Sequence, residues 1–148
     1  HTMKITEIDE FHPGLSESIH RLLLQLTEKQ LDFSDDMLRL VIESPNSHLL
    51  VATEDDELVG MLTIATYITP TGKKAWIEDV VVDEIHRGKG FAKELISYAI
   101  DWARRHDIPI LMLTSNPKRV AANQLYPKML FQRRETNVYR MELTEEKE

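Results

Sequence analysis

The chain has 148 residues, 42% hydrophobic and 29% charged, the composition of an ordinary globular domain rather than of a disordered chain or coiled coil. It has no cysteine, so disulfides, thiolate-bound metals and thiol nucleophiles are all excluded, which suits a reducing, cytoplasmic setting. A formal charge of −7 argues against a nucleic-acid binder and favours a cationic partner, and no run nears the roughly 20 apolar residues of a membrane-spanning helix.

His1-Thr2 ahead of Met3 reads as an expression scar, with no signal-peptide pattern after it. Residues 3–143 read as one domain and 144–148 as an acidic tail. Lys4 to Asp9 is a short first strand, and His12-Pro13-Gly14 a turn. Leu15, Ile19, Leu22, Leu23 and Leu26 then fall at helical spacing. Ser34 caps a second helix whose first-turn aspartates suit the positive end of its dipole, and Ser44-Pro45-Asn46 stops it. Three strands follow: His48 to Thr53, Leu58 to Tyr67, and Ala75 to Asp83. The last contains Val80-Val81-Val82, an apolar run expected of a strand covered on both faces.

After the Gly88/Gly90 loop, Ala92, Leu95, Ile96, Ala99, Ile100 and Ala103 mark the clearest helical face in the chain, ended by Asp107-Ile108-Pro109. Ile110 to Thr114 is a short strand, and Asn116-Pro117 opens a helix that runs towards Lys128. Gln132 to Leu143 is strand-like and is expected to close a mixed α/β layer fold.

The chemistry concentrates in Arg87-Gly88-Lys89-Gly90-Phe91-Ala92-Lys93. Two glycines permit positive φ and close approach of the backbone to a ligand. The first amides of the following helix point outward without partners, and the dipole adds attraction for an anion. The loop is therefore an anion cradle, with phosphate the natural guest. A nucleotide P-loop pattern is absent, and the dinucleotide fingerprint fails because Lys93 occupies its last glycine position. A tight strand-to-helix connection with surface lysines remains the plainer reading of these residues alone.

Arg87-x-x-Gly90-x-Ala92, preceded by Val80-Val81-Val82-Asp83, resembles the acetyl-CoA signature of the GNAT N-acetyltransferase superfamily. Leu125-Tyr126-Pro127-Lys128-Met129-Leu130-Phe131 is similar to that family's Leu-Tyr-x-Lys-Leu-Gly-Phe segment, and the element order fits nearly the whole chain. The resemblance implies a single-domain GNAT fold, a mixed central sheet with helices on both faces. It also implies direct transfer of acetyl from acetyl-CoA to an amine, without a metal. The acceptor would be a small-molecule or peptide amine, and the protein a monomer or homodimer. Neither nucleic acid nor membrane is an expected partner.

Residue by residue, the resemblance assigns the backbone of Val80, Val81 and Val82 to the pantetheine arm. It assigns the amides of Gly88, Lys89, Gly90, Phe91, Ala92 and Lys93 to the pyrophosphate, with Arg87 adding charge. Tyr126 becomes the general acid for the leaving thiolate. Asn116, which also reads as a helix cap, and Asn123 are candidates for CoA contact. Glu78 and Asp79, on opposite faces of a regularly alternating strand, are candidates for the base or amine anchor. Two departures bear on Tyr126: Leu130 stands where the family has glycine, and Pro127 follows the tyrosine directly. They raise an alternative, an acyl-CoA sensor of the same fold with weakened catalysis.

Overall fold

The computed structural model describes residues 3–27 and 31–144, so His1-Thr2, read above as a scar, and most of the 144–148 segment lie outside the described residues. The chain divides into two compact units, His1–Thr114 and Ser115–Glu148.

The first unit holds β1 (Met3–Glu7), α1 (Leu15–Leu26), α2 (Asp35–Glu43), β2 (Ser47–Glu54), β3 (Glu57–Thr69), β4 (Gly72–Val82), α3 (Phe91–Arg105) and β5 (Leu111–Leu113). The strands form one sheet in the order β1-β2-β3-β4-β5. Neighbours are antiparallel except β4 and β5, which run parallel because α3 crosses between them. The β2–β3 hairpin turns on Asp55 and Asp56, at φ 52° and 63°, the two left-handed residues of a tight hairpin turn. Ser34 caps α2 as its sequence suggests, its hydroxyl accepting from the Met37 amide at 3.3 Å.

Strand alternation sends Leu49, Val51, Leu58, Met61 and Val81 to one face, where they pack with Leu15, Ile19 and Leu22 of α1 and Leu38 of α2. Leu50 and Ala52, wholly buried, point to the other face, which α3 covers. Gly60 on that face admits Leu95: a Cβ at Gly60 would lie 3.1 Å from Leu95 Cδ1 and 3.2 Å from the Val81 carbonyl. The far end of α3 is fixed by Trp102, whose indole donates to Glu7 Oε1 at 2.8 Å and stacks on His106 at 3.8 Å between centroids. Core leucines such as Leu22 and Leu50 have no solvent contact, and trimming either to alanine should cost about 2–5 kcal/mol.

The second unit contains α4 (Val120–Lys128). Two sequence expectations change here. The helix begins at Val120 rather than at Asn116-Pro117, because Asn116 turns its side-chain oxygen onto the Lys118 amide at 2.9 Å and shapes a separate turn. Gln132 to Leu143 forms no strand among the described residues; Val138, Tyr139, Met141 and Leu143 are all exposed. Alternation prepares a strand, but only a paired edge makes one, and no ladder engages this segment.

Candidate functional site

The sheet opens where the site begins. β5 pairs with β4 only through Ala75, Trp76 and Ile77 and then ends, while β4 runs on to Val82. Among the described residues, 78–82 therefore carry β3 on one side and no pairing strand on the other. The β3 side is irregular too. Met61 faces Val81 and Thr63 faces Glu78, so Asp79 and Val80 together oppose Leu62, a β-bulge with Asp79 at φ 54°.

The left-handed Asp79 interrupts the regular alternation on which the opposite-face expectation rests, and both Glu78 and Asp79 are exposed. Partial desolvation raises the Glu78 pKa, and the neighbouring Asp79 charge raises it further. Desolvation also raises that of Asp79. Each acid holds its proton to a higher pH than a free carboxylate. Of the valines, Val81 and Val82 are buried and Val80 is half-buried, so the side chains serve the core while their backbone borders that edge.

β4 leads through a 3₁₀ turn, Glu84–His86, into the glycine loop. Gly88 and Gly90 sit at φ 83° and 82°, and a Cβ at either would meet nothing within 4 Å. The space over the loop is open, and the constraint is the left-handed backbone itself. Gly90 forms the N-cap of α3 without a side-chain cap, and the first paired amide there is Glu94, to Gly90 O at 3.1 Å. The amides of residues 88–93 have no backbone acceptor among the described residues. A cluster of unpaired donors at a helix start, beside Lys89 and Lys93, fits a pyrophosphate. Arg87 Nε donates to the Val82 carbonyl at 3.2 Å, bracing the loop against β4. Phe91 is buried and stacks on His86, tying the turn to the first residue of α3.

Sequence reasoning missed what supports this loop. Asp83, 3% exposed, accepts from Arg21 Nη1 and, at 3.2 Å, from Gln25 Nε2, both on α1. The signal available was an acid at the end of an apolar strand, with no indication of its partners 62 and 58 residues earlier in the chain.

Within the second unit, Tyr126 is buried, with Phe131 edge-on at 5.9 Å. Burial pushes its phenol above the ordinary range, although the Arg119 charge pulls the other way. Asn123 donates to the carbonyls of Asn116 at 2.8 Å and Arg119 at 2.9 Å, so it bridges the start of α4 to the turn before it. Asn116 does not cap α4, where Arg119 holds the N-cap position. Leu130, at φ 73°, takes the left-handed conformation that the family's glycine would supply. Phe131 N–H bonds Tyr126 O and Leu130 N–H bonds Pro127 O, both at 3.0 Å, which completes a Schellman termination. The missing glycine has changed the residue but not the turn.

The profile of the acetyltransferase (GNAT) family matches residues 17–131. The chain belongs to the GNAT acetyltransferase family. Among curated relatives, an uncharacterized N-acetyltransferase, YhdJ, from Bacillus subtilis (strain 168) is 38% identical over 55 residues, 37% of this chain and 39% of that protein. L-2,4-diaminobutyric acid acetyltransferase from Marinococcus halophilus is 36% identical over 90 residues, 60% of this chain and 51% of that protein. The matches thus span about two-fifths to half of these relatives' lengths. An aminoglycoside acetyltransferase from an uncultured soil metagenomic sample shares the fold, with a TM-score of 0.84 over 97% of each chain at 18% identity. The GNAT fold expected from the two motifs is the fold observed. Among the described residues, no helix is long and apolar enough to cross a membrane.

Proposed function

We propose that this GNAT protein transfers acetyl from acetyl-CoA directly to a primary amine of a small molecule or peptide. One observation carries the reading: among the described residues, the edge of β4 at 78–82 has no strand beside it and leads through a 3₁₀ turn to the amides of residues 88–93, which have no backbone acceptor. An extended amide-bearing arm that ends in a pyrophosphate matches that sequence of backbone edge and anion cradle. Acetyl-CoA, when bound, supplies the activated thioester.

The chain's own groups then divide the work. The backbone of Val80, Val81 and Val82 takes the pantetheine arm as an added strand would, and the loop amides with Lys89 and Lys93 take the phosphates. The bulge frees backbone donors near Val80 for the oxygen that gains charge as the amine attacks. Glu78 or Asp79 removes a proton from the incoming ammonium group, and its raised pKa makes it a better acceptor than an ordinary surface carboxylate. Tyr126 donates to the departing thiolate. A tyrosine phenol is protonated at neutral pH, the state a donor needs, and burial raises its pKa further.

The acceptor reading leans towards cationic amines. The charge of −7 favours their approach, the two acids face solvent at the edge, and relatives are named for diaminobutyric acid and for aminoglycosides. The experiment is a thiol-release screen across polyamines, diamino acids, aminoglycosides, amino sugars and peptides, with Tyr126→Phe in parallel. Turnover with at least one amine is expected, and the phenylalanine variant should lose roughly 10²–10⁴ in kcat. Undiminished Tyr126→Phe activity removes the general-acid assignment. CoA binding with no turnover on any amine would favour the acyl-CoA sensor instead.

A further inference from the structure

Asp83 lies between the two parts of the donor site, after β4 has ended and before the glycine loop begins. Burial alone would push its carboxyl up, but hydrogen bonds from Arg21, Gln25 and the Ile85 amide, with the Arg21 charge, hold it below the usual range. It is thus a buried, ionised and well-paired group in a place where an unpaired charge would be costly.

Its partners define what it holds. The Asp83 amide donates to Val59 O at 2.8 Å, fixing the residue to β3. Its carbonyl accepts from the His86 amide at 2.8 Å and its carboxylate from the Ile85 amide at 3.4 Å, so it shapes both ends of the 3₁₀ turn. Gln25 closes the ring, donating to Asp83 Oδ1 and accepting from the Glu84 amide at 2.8 Å. Arg21, one helical turn earlier on the same face of α1, reaches Asp83 and also donates to Leu58 O at 2.9 Å. All these bonds converge on the stem from which the loop springs.

We propose that Asp83, gripped by Arg21 and Gln25, is a positioning residue for donor binding: it fixes the stem so that the loop amides converge before the ligand arrives. This rests on the reading that the loop takes the pyrophosphate of acetyl-CoA. A loop with two glycines has much freedom to lose, and whatever the stem does not restrain must be ordered when the ligand binds. Loosening the stem therefore weakens donor binding, and leaves the chemical step intact once the donor is held.

The test uses the full chain, with Asp83→Asn and the milder Gln25→Ala, which keeps the Arg21–Asp83 ion pair. CoA affinity is measured by calorimetry, and KM and kcat by thiol release, well below each variant's melting temperature. Donor Kd and KM should rise about tenfold for Asp83→Asn and about threefold for Gln25→Ala, with kcat and the acceptor KM within about twofold of wild type. If Asp83→Asn does not fold, Gln25→Ala decides by the same split. Lower melting temperatures with unchanged donor affinity would show that the cluster only ties α1 to the sheet, and the proposal falls. A wild-type protein that fails to bind CoA overturns the functional reading itself, and with it this role.

Discussion

Two adjacent acids with raised pKa values are a coupled pair, and their pH behaviour can separate base from bystander. If Glu78 is the base, kcat/KM falls as pH drops through the pair's apparent pKa, because only the carboxylate accepts a proton. Asp79→Asn removes the like charge that helps raise Glu78, so the acidic limb should move to lower pH while most activity survives. Glu78→Gln should abolish the limb and cost roughly 10²–10⁴ in rate. The mirror result, with the limb lost only in Asp79→Asn, transfers the role to Asp79. Stability carries the opposite sign. A carboxyl whose folded pKa is raised stabilises the fold at low pH, and that contribution is lost as pH rises through the folded pKa. Glu78→Gln should therefore leave the melting temperature at neutral pH unchanged or slightly higher.

The end of α4 shows an element keeping its geometry against its sequence. Leu130 occupies a left-handed conformation in which a Cβ costs roughly 1–2 kcal/mol, and its side chain is 89% exposed, so no packing offsets the strain. Leu130→Gly should raise stability by about 1 kcal/mol in urea unfolding with an unchanged m-value, since glycine's extra unfolded-state freedom takes back part of the gain. A destabilised variant would mean that the leucine side chain is buried by something in solution. The same element marks the limits of sequence reading. α1, α2 and α3 were legible because their apolar stripes and the Ser34 cap are local patterns, and so were the three central strands. The bulge at Asp79 and the early end of β5 were not, because both depend on which residue of a neighbouring strand stands opposite. Gln132 to Leu143 misled for a related reason: alternation records what a segment could pair with, and pairing is decided elsewhere. In the site, the loop and its glycines were plain in the sequence, whereas Asp83 gained meaning only when α1 brought Arg21 and Gln25 to it.

At the scale of the whole molecule, net charge and proposed donor are at odds. A chain of charge −7 repels an anionic ligand at long range, so attraction must come from the loop's amides, Lys89 and Lys93 at short range. Added salt then screens two opposed effects, and donor affinity should change less between low and physiological ionic strength than for a site built on a broad basic surface. Linkage turns binding into a stability measurement. CoA at 100 times its Kd should add about 2.7 kcal/mol to the unit that binds it. For a chain of this size that corresponds to roughly 5–10 °C in melting temperature. The loop and the edge of β4 both lie within His1–Thr114. Hydrogen exchange followed by mass spectrometry locates the stabilisation: protection on adding CoA should concentrate at residues 78–94, spanning the edge and the first turn of α3. Protection confined to the loop would leave the phosphate site standing but remove the pantetheine arm from β4. A melt unmoved by millimolar CoA would remove both.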